Sequence, residues 1–473
     1  METLSLWKTG LALILLGAAT AVATQAQTFT RLITFNGTNG SGPSTPLVQG
    51  QDGNLYGTTW QGGANSQGTI FKVTPSGNEF NLLYSFCAQP NCADGSAPLG
   101  SLLQLANGNF YGTTFTGGAN NFGALFDIPS IGGTLTVLQS FDETAGEDPR
   151  GGLAMDSSGN FYGLTTAGGS NYNVGSIFKV TDGTLQPLVL LNETDGYEEN
   201  AQVTLVLGND GNFYGTTSSS GAPDYSGTIF NVTPSGTFTL LHAFNGTSDG
   251  AGPEAGLVLG TDGNFYGTTP YEGANRDGVV FQFNPTTGTY TTIYSFNGTY
   301  GSAPYAALTL GSDGNFYGTT SAGGANGQGT IFRITPAGAI TDLYDFTASD
   351  GQGSIAGVIQ HTNGTFYGST FDGGSNSDGM VFSLNTGLGP FVVLTLDSGI
   401  VNNVIGILGQ GFTGTLGVSF NGAPARFDVV SDTYLTASVP VTATTGPVTV
   451  DTPSGTLTSN RTFRILATAI ARP

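Results

Sequence analysis

The side chains best able to do chemistry in this chain are carboxylates. The set that does not recur elsewhere is Glu143, Glu147 and Asp148, followed by Asp195, Glu198 and Glu199. Brought together, two such acidic segments could hold a hard cation such as Ca2+ through oxygen ligands. A pair of them flanking a sugar linkage could serve as general acid and base, the chemistry of a polysaccharide hydrolase or lyase. The plainer alternative is a solvated acidic rim. A second set is amides: Asn65, Asn120, Asn171, Asn275, Asn326 and Asn376 recur in Gly-rich stretches, with Asp224 in the one remaining copy. Asn satisfies backbone groups in tight turns. A ring of amides would also suit sugar hydroxyls, with Trp60 and Tyr271, and Phe115 and Phe371 nearby, as stacking surfaces.

The remaining candidates lack the partners their chemistry needs. Gly246-Thr-Ser-Asp-Gly250 has the spelling of a nucleophile elbow, which requires a strand-to-helix turn and a histidine; its sibling copy reads Asn36-Gly-Thr-Asn-Gly40. Gly409-Gln-Gly-Phe-Thr-Gly414 spells a dinucleotide fingerprint, but no helical pattern follows to receive a phosphate. The chain has 2 histidines. His242 stands where other copies have Tyr84, Tyr294 and Tyr344, which reads as packing, and His361 lies beside a turn; neither has a second His or Cys at metal-ligand spacing. Cys87 and Cys92 are close enough to staple one loop in an oxidising compartment. No catalytic residue is assigned and no cofactor is implied, Ca2+ at the acidic segments being the one metal considered.

What must position these residues is a repeat. An aromatic-Tyr-Gly-Thr-Thr-like phrase places its Tyr at 56, 111, 162, 214, 266, 317 and 367, in steps of 55, 51, 52, 52, 51 and 50 residues. A period near 50 is the signature of propeller blades. In the fifth copy four β-type runs are expected, Ala255 to Leu259, Asn264 to Thr269, Gly278 to Phe283 and Tyr290 to Phe296, with the Asp262-Gly263 dipeptide turning the first pair. A fourth-strand copy, Phe29 to Phe35, stands alone before the first phrase, and the last copy runs out near Asn385, so the N-terminal strand can complete the last sheet and remove both open edges. Thr59 and Phe71 have counterparts in every copy and read as packing; Leu191 replaces the Phe that ends most fourth strands. Asp52, Asp210, Asp262 and Asp313 also recur, but Asn107, Ser158 and Asn363 stand at sibling positions, so the position is read as asking for a turn-tolerant residue rather than a charge.

The expected fold is therefore all-β: a seven-bladed β-propeller over residues 28–389, then a small immunoglobulin-like β-sandwich over 390–466 and a tail, 467–473. If each first strand runs downward, the Asp-Gly turns share the lower face. The Gly-rich loops, such as Gly62 to Gly68, and the links between blades share the upper one, where binding is expected.

Composition supports a folded core, with Gly 76 of 473 residues but 38% hydrophobic and 11% aromatic content. A net charge of −21 repels phosphate backbones, which excludes nucleic acid as a partner class. Lys8, the apolar stretch from Leu11 to Ala19 and the small residues up to Ala26 read as an export signal over 1–26, and no later stretch is long enough to span a membrane. The mature chain is expected to be monomeric, and secreted or associated with the cell surface.

Asp313-Gly-Asn-Phe-Tyr-Gly-Thr-Thr320 and Gly329-Thr-Ile-Phe332 resemble the Gloeo/Verruco tandem repeat of exported bacterial proteins, over about residues 28 to 390. Val404-Ile-Gly-Ile-Leu-Gly-Gln-Gly-Phe412, Val418-Ser-Phe-Asn-Gly-Ala423, Ala437-Ser-Val-Pro440 and Gly446-Pro-Val-Thr-Val450 resemble an IPT/TIG immunoglobulin-like domain. The first resemblance implies secretion and a repeat fold without established chemistry, and the second implies a module that spaces or presents its neighbour. Together with the missing catalytic set, they point to a non-catalytic scaffold or binding protein that meets a glycan or a cell-surface protein. The alternative is the polysaccharide hydrolase or lyase built on the acidic links.

Overall fold

The computed structural model describes residues 27–169, 173–197, 202–221 and 226–466. The expected leader 1–26, the tail 467–473, and Asn171, Asp224, Glu198 and Glu199 lie outside the described residues. Between Thr28 and Asn385 the chain forms seven four-stranded antiparallel sheets. The first is built from Val48–Gln49, Leu55–Thr59, Thr69–Val73 and Phe80–Ser85. Five more follow the same consecutive order, while the seventh joins Ile359–Gln360, Phe366–Thr370 and Met380–Asn385 to the N-terminal strand Thr28–Thr34. Among the described residues the helical content is one short turn, Pro90–Cys92, in the loop where Cys87 and Cys92 form a disulfide. No helix of the described residues is long and apolar enough to cross a membrane.

The repeated phrase explains itself through burial. The second strand of the first sheet, Leu55–Thr59, is buried throughout, so both of its faces are covered. Gly57 has to be small there: a Cβ would stand 2.6 Å from Cζ of Phe71 and 2.8 Å from a methyl of Leu47. Each Tyr of the phrase reaches the next sheet, as Tyr56 to Phe110 at 4.2 Å, Tyr214 to Phe265 at 4.2 Å and Tyr317 to Phe366 at 4.0 Å between ring centroids. The Phe ending a fourth strand meets the following sheet's third-strand Phe edge-on, as Phe86 to Phe126 and Phe346 to Phe382. The last such contact runs from Phe35 to Phe71, at 5.2 Å, and Tyr367 shares that cluster with Leu55. The seventh sheet thus packs on the first, and the chain of interfaces closes. Each buried aromatic contributes roughly 1.5–3 kcal/mol of apolar burial, multiplied around the circle.

Two details differ from the expectation. The first strands are shorter: in the fifth sheet it is Val258–Leu259, because Ala255 bridges in parallel to Gln202 of the neighbouring sheet and a Cβ on Gly256 would stand 2.6 Å from the carbonyl of Thr204. The segments before the first strands of the fourth and fifth sheets therefore pair with one another. The Asp of the Asp-Gly turns also does more than tolerate a turn. Asp52, Asp210, Asp262 and Asp313 accept hydrogen bonds from the hydroxyls of Tyr56, Tyr214, Tyr266 and Tyr317 at 2.8–3.0 Å. In the third sheet Ser158 cannot do this, and Asp156, two residues earlier, takes the Tyr162 hydroxyl at 2.9 Å. Where the Asp is present, the residue two before it is Gly (50, 208, 260, 311), and a Cβ at Gly311 would stand 2.6 Å from the Tyr317 ring and 2.7 Å from Asp313 Oδ1. In these five sheets one carboxylate fits beneath the Tyr, from either position, while in the second and seventh Asn107 and Asn363 donate to the hydroxyls of Tyr111 and Tyr367 at 3.0 and 3.1 Å.

Residues 393–465 form a four-stranded and a five-stranded sheet around a core of their own that includes Val392, Ile407, Phe412, Phe420, Leu435 and Phe463. This pair sits on the Asp-Gly turns. Thr433 donates to the Gln51 carbonyl at 2.7 Å, Gln410 to Thr362 Oγ1 at 2.8 Å, Asn460 to the Leu310 carbonyl at 3.3 Å and Arg464 to the Asn209 carbonyl at 2.5 Å. Turns of the first, fourth, sixth and seventh sheets are touched, so the C-terminal sheets cover one face of the ring. Both motif look-alikes resolve as turns: Gly246–Gly250 lies in a link where Asp249 accepts the amide of Asn245, and the Gly409 carbonyl accepts from Thr362 at that covered face.

Candidate functional site

On the face opposite the C-terminal sheets, one recess of about 230 Å³ is lined by residues from all seven sheets, which places it on the axis of the ring. Each sheet approaches the axis through a buried aliphatic residue: Leu47, Leu102, Leu153, Leu205, Leu257, Leu308 and Val358. The position just before it is small in most copies, Gly152, Gly256, Ala307 and Gly357 among them, and this leaves the space open. Three residues before the aliphatic, the repetition breaks completely: Ser44, Leu99, Arg150, Gln202, Glu254, Tyr305 and Ile355. A fold needs like residues at like positions, whereas a ligand needs unlike groups converging on one point.

Two polar members of this circle, Glu254 and Tyr305, are joined through Tyr271 of a neighbouring loop. Tyr271 and Tyr305 share a hydroxyl hydrogen bond of 2.8 Å, and Tyr271 also reaches Glu254 Oε1 at 3.4 Å. Burial raises Glu254 above the usual carboxylate range, against the opposing pull of Tyr271 and Arg150. Burial likewise lowers Arg150, with Asp148 and Glu254 acting the other way. The Arg150 guanidinium lies 4.3 Å over the Phe115 ring, and its Nε is buried without a hydrogen-bond partner among the described residues. A buried donor left open in this way costs free energy unless something satisfies it.

The acidic and amide sets behave differently from this circle. Glu143 is exposed, Glu147 is half-buried, and both lie in the link that holds Asp148. Burial, then the charges of Asp148 and Glu143, raise Glu147, and burial raises Asp148. Asp195 is engaged within its own link, where it accepts from the Asn192 side chain at 2.5 Å. Among the described residues no group of three or more His, Cys, Asp or Glu is placed to hold a metal ion. The described amides turn inward: Asn65, Asn120, Asn275 and Asn376 donate to the carbonyls of Phe86, Phe141, Phe296 and Phe35 at 2.9 Å, and Asn326 to that of Asp345 at 3.4 Å. Trp60 is half-buried beside Phe371 at 6.1 Å, and Tyr271 is 45% exposed. His242 takes the hydrogen bond to Asp249 that Tyr84 makes to Asp94 and Tyr344 to Asp350.

The repeat phrase matches the Gloeobacter/Verrucomicrobia repeat in three overlapping stretches, residues 16–209, 87–273 and 200–425. The chain belongs to this family. No curated protein matches it. Among solved structures, this Gloeobacter/Verrucomicrobia repeat protein is similar to a fungal alcohol oxidase of the AA5 family in complex with copper, at 11% identity and a TM-score of 0.53, over 94% of this chain and 100% of that one. It is also similar to the extracellular domain of a one-component system from B. thetaiotaomicron, at 11% identity and a TM-score of 0.50, over 94% of this chain and 59% of that one. The surface component PorZ of the type-IX secretion system of Porphyromonas gingivalis matches at 12% identity and a TM-score of 0.47, over 92% of this chain and 61% of that one. This chain thus spans about three fifths of the length of the two bacterial neighbours. At such identities the likeness is one of fold.

Arg150, Gln202, Glu254 and Tyr305 were not among the residues singled out from sequence. The signal that could have found them is the inverse of the one that marks the core: a position at fixed distance from a repeated aliphatic residue where no two copies agree.

Proposed function

We propose that the chain is an exported, non-catalytic binding or scaffold protein of the cell exterior. In this reading residues 28–389 are a seven-bladed β-propeller, 390–466 are an IPT/TIG-type immunoglobulin-like base, and 1–26 are the signal that directs export. The free face of the ring meets a glycan or another cell-surface component. The observation that carries the reading is the contrast between the two faces: the C-terminal sheets cover the Asp-Gly turns, and the opposite face keeps its loops, half-buried Trp60, exposed Tyr271 and the axial recess. Loops held on a rigid scaffold are where repeat proteins place recognition. The extracellular setting of the B. thetaiotaomicron neighbour is compatible with this location.

The test is a sedimentation assay of the mature chain with insoluble polysaccharides and with intact bacterial cells. Binding that falls with Trp60→Ala or Tyr271→Ala and is indifferent to Thr433→Ala supports the reading. Binding to neither surface, or binding lost only on changes at the covered face, refutes it.

A further inference from the structure

We propose that the axial recess binds the terminal ring of a neutral saccharide, held by Gln202, Glu254 and Tyr305. The proposal rests on the reading of the free face as a binding surface, and it names the site and the ligand class. The recess is smaller than the roughly 300–1,000 Å³ of drug-sized pockets, so it suits one ring or a chain end rather than an extended strand. Its wall is mixed. Leu99, Ile355 and the Tyr305 ring offer apolar surface, while Gln202 brings an amide, Glu254 a carboxylate and Tyr305 a hydroxyl. A pyranose has the same division, with an apolar face and an edge of hydroxyls that both donate and accept.

Charge decides between a sugar and the alternatives. Glu254 lies in the wall, and Arg150, at the corresponding position two sheets earlier, is close enough for each to shift the other. An anion entering here would meet Glu254, Asp148 beside Arg150, and the field of a chain carrying −21. A cation would meet the partly desolvated guanidinium. A neutral polyol meets neither penalty: it donates to the carboxylate and accepts from the amide, and such charge-assisted bonds are the strong ones. The Tyr271–Tyr305 hydrogen bond fixes the second hydroxyl and leaves Tyr271 standing at the mouth as a wall for the next sugar.

The experiment is isothermal titration of the mature chain with methyl glycosides of glucose, galactose, mannose, xylose and N-acetylglucosamine, with glucuronic acid and glucosamine as charged counterparts. At least one neutral glycoside is expected to bind, with either charged sugar about ten-fold weaker. Glu254→Gln, which keeps shape, should weaken binding about ten-fold and Tyr305→Phe about three-fold. Ile355→Trp, which fills the recess, should abolish it, with an unchanged melting temperature as the check on folding. Glycoside binding indifferent to all three changes overturns the site and leaves the loop-face reading standing. Preference for a charged sugar overturns the ligand class. No glycoside binding, with retention on polysaccharide or cells preserved, overturns this inference alone, and loss of both overturns the broader reading as well.

Discussion

Phe35 and Phe463 are both buried, yet what surrounds them differs in kind. Phe463 packs on Phe420 at 5.1 Å inside one local core, shared by two sheets of residues that lie close in the chain. Phe35 lies in a cluster that joins the first sheet to the last, with Phe71 on one side and Tyr367 and Val381 on the other. The ring therefore depends on a strand about 350 residues away from its partners, while the C-terminal sheets keep a core of their own and meet the ring through hydrogen bonds to turn carbonyls and to the Thr362 hydroxyl. Closure makes the ring one cooperative unit, and a polar junction leaves its base a second one.

The largest expected effects test that division directly. Phe35→Ala and Phe463→Ala should each cost about 3–5 kcal/mol, as truncations of buried aromatic residues do. In calorimetry Phe35→Ala should lower the transition of the ring, and Phe463→Ala a separate transition of the C-terminal sheets. If both changes lower one common transition, the two regions are coupled more tightly than their hydrogen bonds imply and the comparison fails.

Smaller, and specific to the ring, is the coupling between the turn Asp and the Gly two residues before it. Gly311→Ala should cost about 1–3 kcal/mol, because the new Cβ meets the Tyr317 ring and Asp313. The double change Gly311→Asp with Asp313→Ser copies the arrangement of Asp156 and Ser158 in the third sheet. It should restore most of that loss in urea unfolding; a double variant no better than the single one would show that the two positions are independent. Smaller again is Thr433→Ala at the junction, where losing one hydrogen bond to the Gln51 carbonyl should cost about 1 kcal/mol of the second transition and nothing of the first.

How much of this was legible in advance follows from what repetition can express. Four strands per copy, the aromatic residues between sheets and the sheet completed by Thr28–Thr34 were readable in the Tyr spacing and the orphan strand at Phe29, since each is a demand made seven times or a gap that must be filled. The shortening of the first strands was not, because pairing of residue 255 with residue 202 depends on how closely the ring is drawn in. The inward turn of Asn65 and its counterparts was one of two open readings, and only the carbonyl of Phe86 at 2.9 Å distinguishes them. Glu254 and Tyr305 were invisible for the opposite reason. They belong to a position that recurs in place but not in residue type, so their convergence exists only after the sheets are arranged around an axis.

The smallest effect appears only on acidification and again separates ring from base. His361 is buried where the first sheet, the seventh sheet and the C-terminal sheets meet: Nε2 donates to the Gly53 carbonyl at 3.0 Å while Nδ1 accepts from the Asn363 amide at 3.1 Å. The Nδ1 bond requires the neutral ring, whereas the Nε2 bond survives protonation, and burial lowers the pKa from 6.5, outweighing those two contacts. The unfolded chain therefore binds the extra proton first as pH falls, so stability declines from about pH 6.5 downward until the folded form protonates as well. Asp342, raised to about 6 by burial and by Asp345, works in the opposite direction over the same range, since its folded form binds the proton first. The measurement must therefore be a difference. Melting temperatures of the native chain and of His361→Gln, compared between pH 7.5 and 5, should converge as pH falls if His361 titrates as described. Parallel curves would mean that the imidazole is not kept neutral by its place between the ring and its base.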